Sequence, residues 1–289
     1  MLDTAMQAAL APARSFLFVP ADRPERFAKA LASGADAVIV DLEDAIAPGD
    51  KLLARQALLQ TVASLDAAQR SRLVVRINAA GTPWHADDLA ALRGLGTLGA
   101  VGIAAVMVSK AESPATLADV AAAAGPACVL LPLIESVAGL DALDALAASP
   151  QVLRLAFGHL DFQADAGLAC GMDESELAPV RLALVLASRR ASLAAPVDGI
   201  SPGTQDTAQL SLDAARSRRG GFGGKLCIHP AQVALVNAAF APSAQEVDWA
   251  RRVQAAFAAA GGGVFSLDGR MVDAPVLRLA QRTLAQAGR

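Results

Sequence analysis

Cysteine is scarce in this chain, and its scarcity removes two classes of fold at once. Cys128, Cys170 and Cys227 are odd in number and form no CxxC pair, which argues against a disulfide framework and against a structural zinc site and leaves small buried hydrophobes as their role. Histidine is equally thin: His85 and His159 lie too far apart for metal-ligand spacing, and His229, wedged before Pro230 at a helix start, suits a structural hydrogen bond. Hydrophobic residues reach 54%, yet no uninterrupted apolar run attains the roughly 18 residues of a bilayer span. Much of the excess is alanine in helix-like segments, so a soluble protein is expected. Neither sign of charge dominates, with 25 basic and 28 acidic side chains and a net charge of −3. No basic face for nucleic acid or anionic lipid is evident, so neither is an expected partner. The first thirteen residues lack the basic cluster and apolar core of a secretory signal, and a cytoplasmic location is expected.

What the chain does have is alternation. Short runs rich in Val, Ile, Leu and Phe alternate with longer alanine-rich segments of helical period, the signature of βαβ units and a parallel sheet. Strands are expected at 15–19, 37–42, 73–78, 103–108, 129–134, 152–157, 196–199 and 225–228. Eight such units in 289 residues fit an α/β fold of the closed (β/α)8 TIM-barrel type. Helix starts carry matching punctuation: Asp22-Arg-Pro before the first, Pro48-Gly-Asp before the second and Ser113-Pro before the fourth. The expected organisation is an N-terminal arm at 1–13, a barrel at 14–242 and a C-terminal helical extension at 243–289. Within the extension, a helix at 243–260 is followed by the break Gly261-Gly262-Gly263, an extended piece at 264–267 and a last helix from about Pro275. The glycines read as a hinge, and the extension as a lid.

In a barrel of this type reactive groups sit at the C-terminal ends of the strands. The polar residues there are Asp41, Glu43, Asp44, Arg76, Asn78, Lys110, Glu135, Asp161, Asp198 and His229. Glu135 and Asp161 follow neighbouring strands, and two carboxylates at one spot are costly without a cation. Mg2+ takes hard oxygen ligands and accepts one or two protein carboxylates, leaving room for water and substrate; the alternative is that each carboxylate caps the helix after it. Arg76 stands in the apolar run Leu73-Val-Val-Arg-Ile-Asn78, where a permanent charge needs an anion. That anion is the cluster Asp41-Leu-Glu-Asp44, a substrate carboxylate or enolate oxygen, or both in turn. Lys110 admits Schiff-base chemistry, but acidic neighbours favour a protonated lysine in a salt bridge or on a substrate carboxylate.

These residues, taken in order, resemble the citrate lyase β-subunit-like branch of the HpcH/HpaI aldolase superfamily. The segments that carry the likeness are Arg14-Ser-Phe-Leu-Phe-Val-Pro20, Asp41-Leu-Glu-Asp44, Arg76-Ile-Asn78, Lys110, Leu133-Ile-Glu-Ser136 and Phe157-Gly-His-Leu-Asp161. Pro196-Val-Asp198-Gly, Gly224-Lys-Leu-Cys-Ile-His-Pro230 and Gly269-Arg-Met-Val-Asp273-Ala-Pro275 complete it. The resemblance implies a Mg2+-dependent lyase, with Glu135 and Asp161 on the metal and Arg76 on the enolate oxygen of a coenzyme A thioester. It further places Arg26 and Lys29 near the coenzyme A phosphates and Asp44, Arg76 and Glu135 against the substrate. Relatives are commonly trimers, and hexamers are a further expectation; the C-terminal aspartate, here Asp273, reaches a neighbour's site as a catalytic group. Two positions depart from the pattern: Leu160 stands where an acidic residue is usual, and Ser109 where proline is frequent.

The expected reaction is cleavage, or formation, of a 3-hydroxyacyl-CoA such as malyl-, methylmalyl- or citramalyl-CoA, giving acetyl-CoA and a 2-oxo acid. Water directed at the thioester would make the net activity that of a synthase or thioesterase, and two further alternatives stay open: a metal-dependent aldolase on free hydroxy-oxo acids, and a non-catalytic acyl-thioester-binding subunit of a larger complex.

Overall fold

A computed structural model describes residues 9–96, 102–259 and 263–288. Most of the N-terminal arm, residues 1–8, and two of the three hinge glycines, Gly261 and Gly262, lie outside these. Among the described residues no helix is long and apolar enough to cross a membrane. The chain divides into two compact units, Met1–Asn237 and Ala238–Arg289.

The first unit is a closed barrel of eight parallel strands in sequence order: β1 (Ser15–Pro20), β2 (Ala37–Asp41), β3 (Leu73–Ile77), β4 (Ala105–Val108), β5 (Val129–Ile134), β6 (Ala156–Phe157), β7 (Val197–Asp198) and β8 (Gly224–Cys227). β8 returns to β1, with Phe16 opposite Leu226. Closure explains the near-continuous apolar runs: alternate residues face the barrel interior and the surrounding helices, and both sides are dry. The inward row includes Phe16, Ile39, Val74, Met107, Leu131, Leu133, Ala156, Val197 and Leu226, which form one core cluster with Leu10 and Ala13. Truncating one of its large members to alanine costs about 2–5 kcal/mol.

Helix starts follow the punctuation. Pro24–Arg26 and Pro48–Asp50 are single 3-10 turns leading into Phe27–Leu31 and Lys51–Ser64, and Ser113 caps Pro114–Ala124 by accepting from Thr116 N at 3.2 Å. The sixth strand is shorter than its apolar run suggests. Only an isolated bridge pairs Val152 with Leu130, next to Gln151 in a left-handed backbone (φ 63°), and regular pairing resumes at Ala156. The Arg154 guanidinium is fully buried on the barrel floor, 5.2 Å above the Phe16 ring. It donates to the carbonyls of Leu10 (3.1 Å), Ala13 (2.6 Å) and Ala195 (2.8 Å). Among the described residues no carboxylate is hydrogen-bonded to it, and burial, against the weaker pull of Asp36, brings its pKa down to about 9.

The second unit packs helix Ala244–Ala259 and helix Ala274–Ala287 around Ala250, Val253, Val272 and Ala280. Between them runs an antiparallel hairpin, β9 (Phe265–Leu267) and β10 (Arg270–Val272). Asp268 (φ 51°) and Gly269 (φ 74°) supply the two positive-φ residues that a tight hairpin turn requires. Gly263 lies inside this unit, ahead of the hairpin. Asp273 caps the last helix, its Oδ1 accepting from Val276 N at 3.1 Å.

Candidate active site

A cavity of about 860 Å3 opens at the C-terminal ends of the barrel strands. The alternation that fills the core also furnishes this mouth. Continuing each inward row by one or two steps brings Phe18, Asp41, Arg76, Glu135, Gly158 and Ile228 to the top layer, and all six line the cavity. Arg26 and Lys29, exposed on the turn and helix after β1, line its rim with Asp44, and Leu160 and Asp161 line it after β6. Arg26, Lys29, Asp44, Arg76, Glu135 and Asp161, singled out in the sequence, thus share one cavity.

Arg76 is the most firmly held group. The register places it beside Asp41. Its Nε and Nη2 donate to the two Asp41 oxygens at 2.7 and 2.6 Å, while Nη1 lies 2.9 Å from Glu43 Oε2 and 3.1 Å from Asp44 Oδ2. Burial alone would lower its pKa, but Asp41, Glu43 and Asp44 outweigh that and raise it. The guanidinium is therefore a fixed cation, packed 4.8 Å over the Phe18 ring. Three of its five N–H bonds are hydrogen-bonded, two to Asp41 and one to Asp44, and the side chain also lines the cavity. Asp41 is braced in turn by the backbone N–H groups of Glu43 and Ala45, at 2.8 and 3.1 Å.

Glu135, 3% exposed, accepts from Lys110 N at 2.7 Å. Its pKa is pushed up to about 8 by burial and by the charge of Glu43; Lys110 N–H and Arg76 pull the other way, and Asp161 adds to the rise. Gly158 makes room for it: a Cβ there would lie 2.5 Å from Glu135 Oε2 and 2.6 Å from its Cβ. Asp161, exposed in the first turn of helix His159–Ala166, accepts no hydrogen bond from the described residues. Glu43, braced by Ser109 Oγ at 2.6 Å, is raised to about 7, chiefly by burial, against the pull of Arg76. Among the described residues no three His, Cys, Asp or Glu side chains gather to hold a metal. Two carboxylates with an under-compensated negative field suit a hard divalent cation that keeps water and substrate oxygens in its remaining positions.

Residues 14–230 match the family model of the HpcH/HpaI aldolase/citrate lyase proteins. The chain belongs to this family. Within it, the citrate lyase β-subunit-like branch is the match. A citrate lyase subunit beta-like protein of Mycobacterium tuberculosis is 38% identical over 278 residues, covering 94% of this chain and 95% of that protein. A (3S)-malyl-CoA thioesterase of Cereibacter sphaeroides is 34% identical over 279 residues, covering 96% and 95%. Among solved structures, CitE from M. tuberculosis in complex with magnesium, acetoacetate and coenzyme A superposes with a TM-score of 0.83 at 37% identity, covering 97% of this chain and 100% of that one.

Not every polar strand-end residue of this HpcH/HpaI chain serves the cavity. Asn78 is turned sideways, bonded to Lys51 Nζ (2.7 Å) and Asp88 (2.6 Å). Asp198 points outward, where Arg181 (3.2 Å) and Gly199 N (2.9 Å) bind it and burial is overcome by Lys225 and Arg181, keeping its pKa low. Lys110 has an exposed side chain and a left-handed backbone (φ 43°); its contribution is its amide, which holds Glu135. His229 lines the rim and accepts from Ala231 N at 3.2 Å. Asp273 belongs to the second unit, as the helix cap described above. Sequence reasoning missed Gly158, whose only signal is a glycine directly after β6. It also missed the partner of His159: Glu174, whose Oε1 lies 3.2 Å from Nε2.

Proposed function

We propose that the chain is a Mg2+-dependent carbon–carbon lyase that cleaves, or forms, a 3-hydroxyacyl-CoA thioester such as citramalyl-CoA or malyl-CoA. The observation that supports it most is the convergence of Glu135, Asp161 and Arg76 on one cavity, with Arg26 and Lys29 at its rim. The M. tuberculosis complex with magnesium, acetoacetate and coenzyme A, on a similar barrel, supports the same ligand set. Glu135 and Asp161 would hold the ion; when bound, Mg2+ supplies Lewis-acid polarisation of the substrate's oxygens. Arg26 and Lys29 would pair with the coenzyme A phosphates, leaving the thioester toward the barrel axis.

Arg76, held in the cavity wall by Asp41, would donate to the thioester oxygen as it gains charge, a preorganised cation that needs no reorientation during reaction. Asp273 of a neighbouring copy would take the proton of the 3-hydroxyl. The bond between C2 and C3 breaks, its electron pair moving into the thioester enolate while the hydroxyl carbon becomes the carbonyl of a 2-oxo acid. Return of the proton to the enolate carbon completes acetyl-CoA, and the reverse sequence condenses the two products.

A second reading draws on the (3S)-malyl-CoA thioesterase relative: the same cavity would direct water at the thioester and release free coenzyme A and the hydroxy acid. One experiment separates them. The protein is incubated with malyl-, methylmalyl- and citramalyl-CoA, with Mg2+ or with EDTA, and products are resolved by mass. Mg2+-dependent acetyl- or propionyl-CoA with a 2-oxo acid supports the lyase; free thiol with intact hydroxy acid supports hydrolysis; no product from any thioester removes both.

A further inference from the structure

Helix His159–Ala166 carries Asp161 in its first turn, yet its N-cap is Gly158, which offers no side-chain cap. The residue beside it, in the same turn, is buried. His159 is 2% exposed although it lines the cavity, and its ring lies against Gly199 so closely that a Cβ there would fall 2.1 Å from Nδ1. On the other side its buried Nε2 faces Glu174 Oε1 at 3.2 Å, too oblique for a well-formed hydrogen bond and without another partner. Leu160, by contrast, is 43% exposed and anchors nothing.

Glu174 is itself over-determined. It holds a left-handed backbone (φ 49°) that non-glycine residues avoid, and its Oε2 is gripped by Arg181 and by Arg216 Nη2 at 2.8 Å. Arg181 continues to Asp198 at the end of β7, 3.2 Å away. Strained backbone persists where the surroundings enforce it, and it concentrates near functional sites. Charged groups packed this densely are poor stabilisers compared with apolar packing, so stability alone does not account for them.

We propose that His159 and Glu174 form a positioning strut, tying the Asp161 turn to the β7 side of the barrel so that this carboxylate is presented to the same cation as Glu135. The inference rests on the metal reading above and adds to it two residues that touch no metal. Partners of this kind around a metal site typically change affinity about 10- to 100-fold when removed.

The test counts free Mn2+ by electron paramagnetic resonance during titration of wild type, Asp161→Ala, Glu174→Gln, His159→Gln and the Glu174→Gln/His159→Gln pair. His159→Gln leaves the Glu174–arginine contacts in place, so it reports even where Glu174→Gln fails to fold. The strut predicts that each single variant weakens Mn2+ binding about tenfold, and that the pair is no worse than either. It also predicts a raised Mg2+ activation constant with turnover at saturating Mg2+ little changed. Wild-type Mn2+ affinity in both single variants, with loss in Asp161→Ala, overturns the strut and leaves the metal site standing. Unchanged binding in Asp161→Ala overturns the metal site and the strut together. A lowered melting temperature with unaltered Mn2+ affinity also refutes the strut, because it marks a purely structural contact.

Discussion

Replacing Gly158 by alanine tests whether the backbone passing Glu135 is what keeps that carboxylate in place. The glycine has φ −92° and ψ 69°, near the inverse γ-turn that other residues also adopt, so the larger effect comes from the added methyl. That methyl would stand 2.6 Å from Glu135 Cβ and 2.5 Å from Oε2. Ordinary carbon–carbon contact begins near 3.5 Å, so Glu135 must retreat by about 1 Å. Metal sites tolerate displacements of only about 0.5 Å, and a tenfold or larger loss of Mg2+ affinity is expected. Overpacking of this size costs about 1–3 kcal/mol, or roughly 2–6 °C in melting temperature for a domain of this length. The assay is isothermal titration with Mg2+ alongside thermal unfolding in EDTA, the unfolding repeated in a Glu135→Gly background, which removes Cβ as well as the carboxylate. With the clashing side chain gone, the alanine penalty should shrink by at least about 1 kcal/mol. Wild-type behaviour of Gly158→Ala, or an undiminished penalty in the double variant, refutes the reasoning.

Three further outcomes are expected. Because the metal-free Glu135 carboxyl titrates near 8, above its ordinary 4.5, the folded state holds a proton that the unfolded chain releases. Its contribution to stability is thus full below about pH 4.5 and lost as pH rises toward 8. EDTA-treated protein should melt lower at pH 8.5 than at pH 6, Glu135→Gln should flatten that slope, and apparent Mg2+ affinity should climb over the same interval in calorimetry. Arg76→Lys keeps the charge but loses the planar fork that matches Asp41; turnover should fall more than about tenfold while Mn2+ affinity moves little, and equal losses would assign Arg76 a structural role. Mixed oligomers of Glu135→Ala and Asp273→Ala protomers should recover about one quarter of wild-type turnover, since a site shared between two copies is intact in about one pairing of four. No recovery after co-refolding would remove Asp273 as a neighbour's base.

The barrel was legible because both faces of every strand are buried, so runs such as Val129–Ile134 announce themselves with the bounds they keep in the structure. The sixth strand was not: Val152-Leu-Arg-Leu-Ala-Phe157 is apolar enough, but nothing in the string says that Gln151 turns left-handed and that only one bridge forms before Ala156. Asp41 and Arg76 were conspicuous as charges in apolar strands, and the register sets them side by side. Lys110 was misjudged in kind, since the string displays its amine while the fold uses its amide. The Asp268-Gly269 turn carried a hairpin signal that the sequence reading passed over, so β10 was missed. Glu174 was beyond reach, because its pairing with His159 depends on where a loop returns after helix His159–Ala166.

The buried guanidinium of Arg154 has a consequence for how the protein is made. Its bond to Leu10 spans 144 residues, so at roughly 5–20 residues per second a ribosome needs about 7–30 s to follow the first partner with the second. For that interval the opening segment has no floor to dock on and β1 has no β8 to pair with. Leu10, Ala13 and β1 therefore wait for their final neighbours until Arg154 and β8 have been made, and a nascent-chain protease should reach this segment until then.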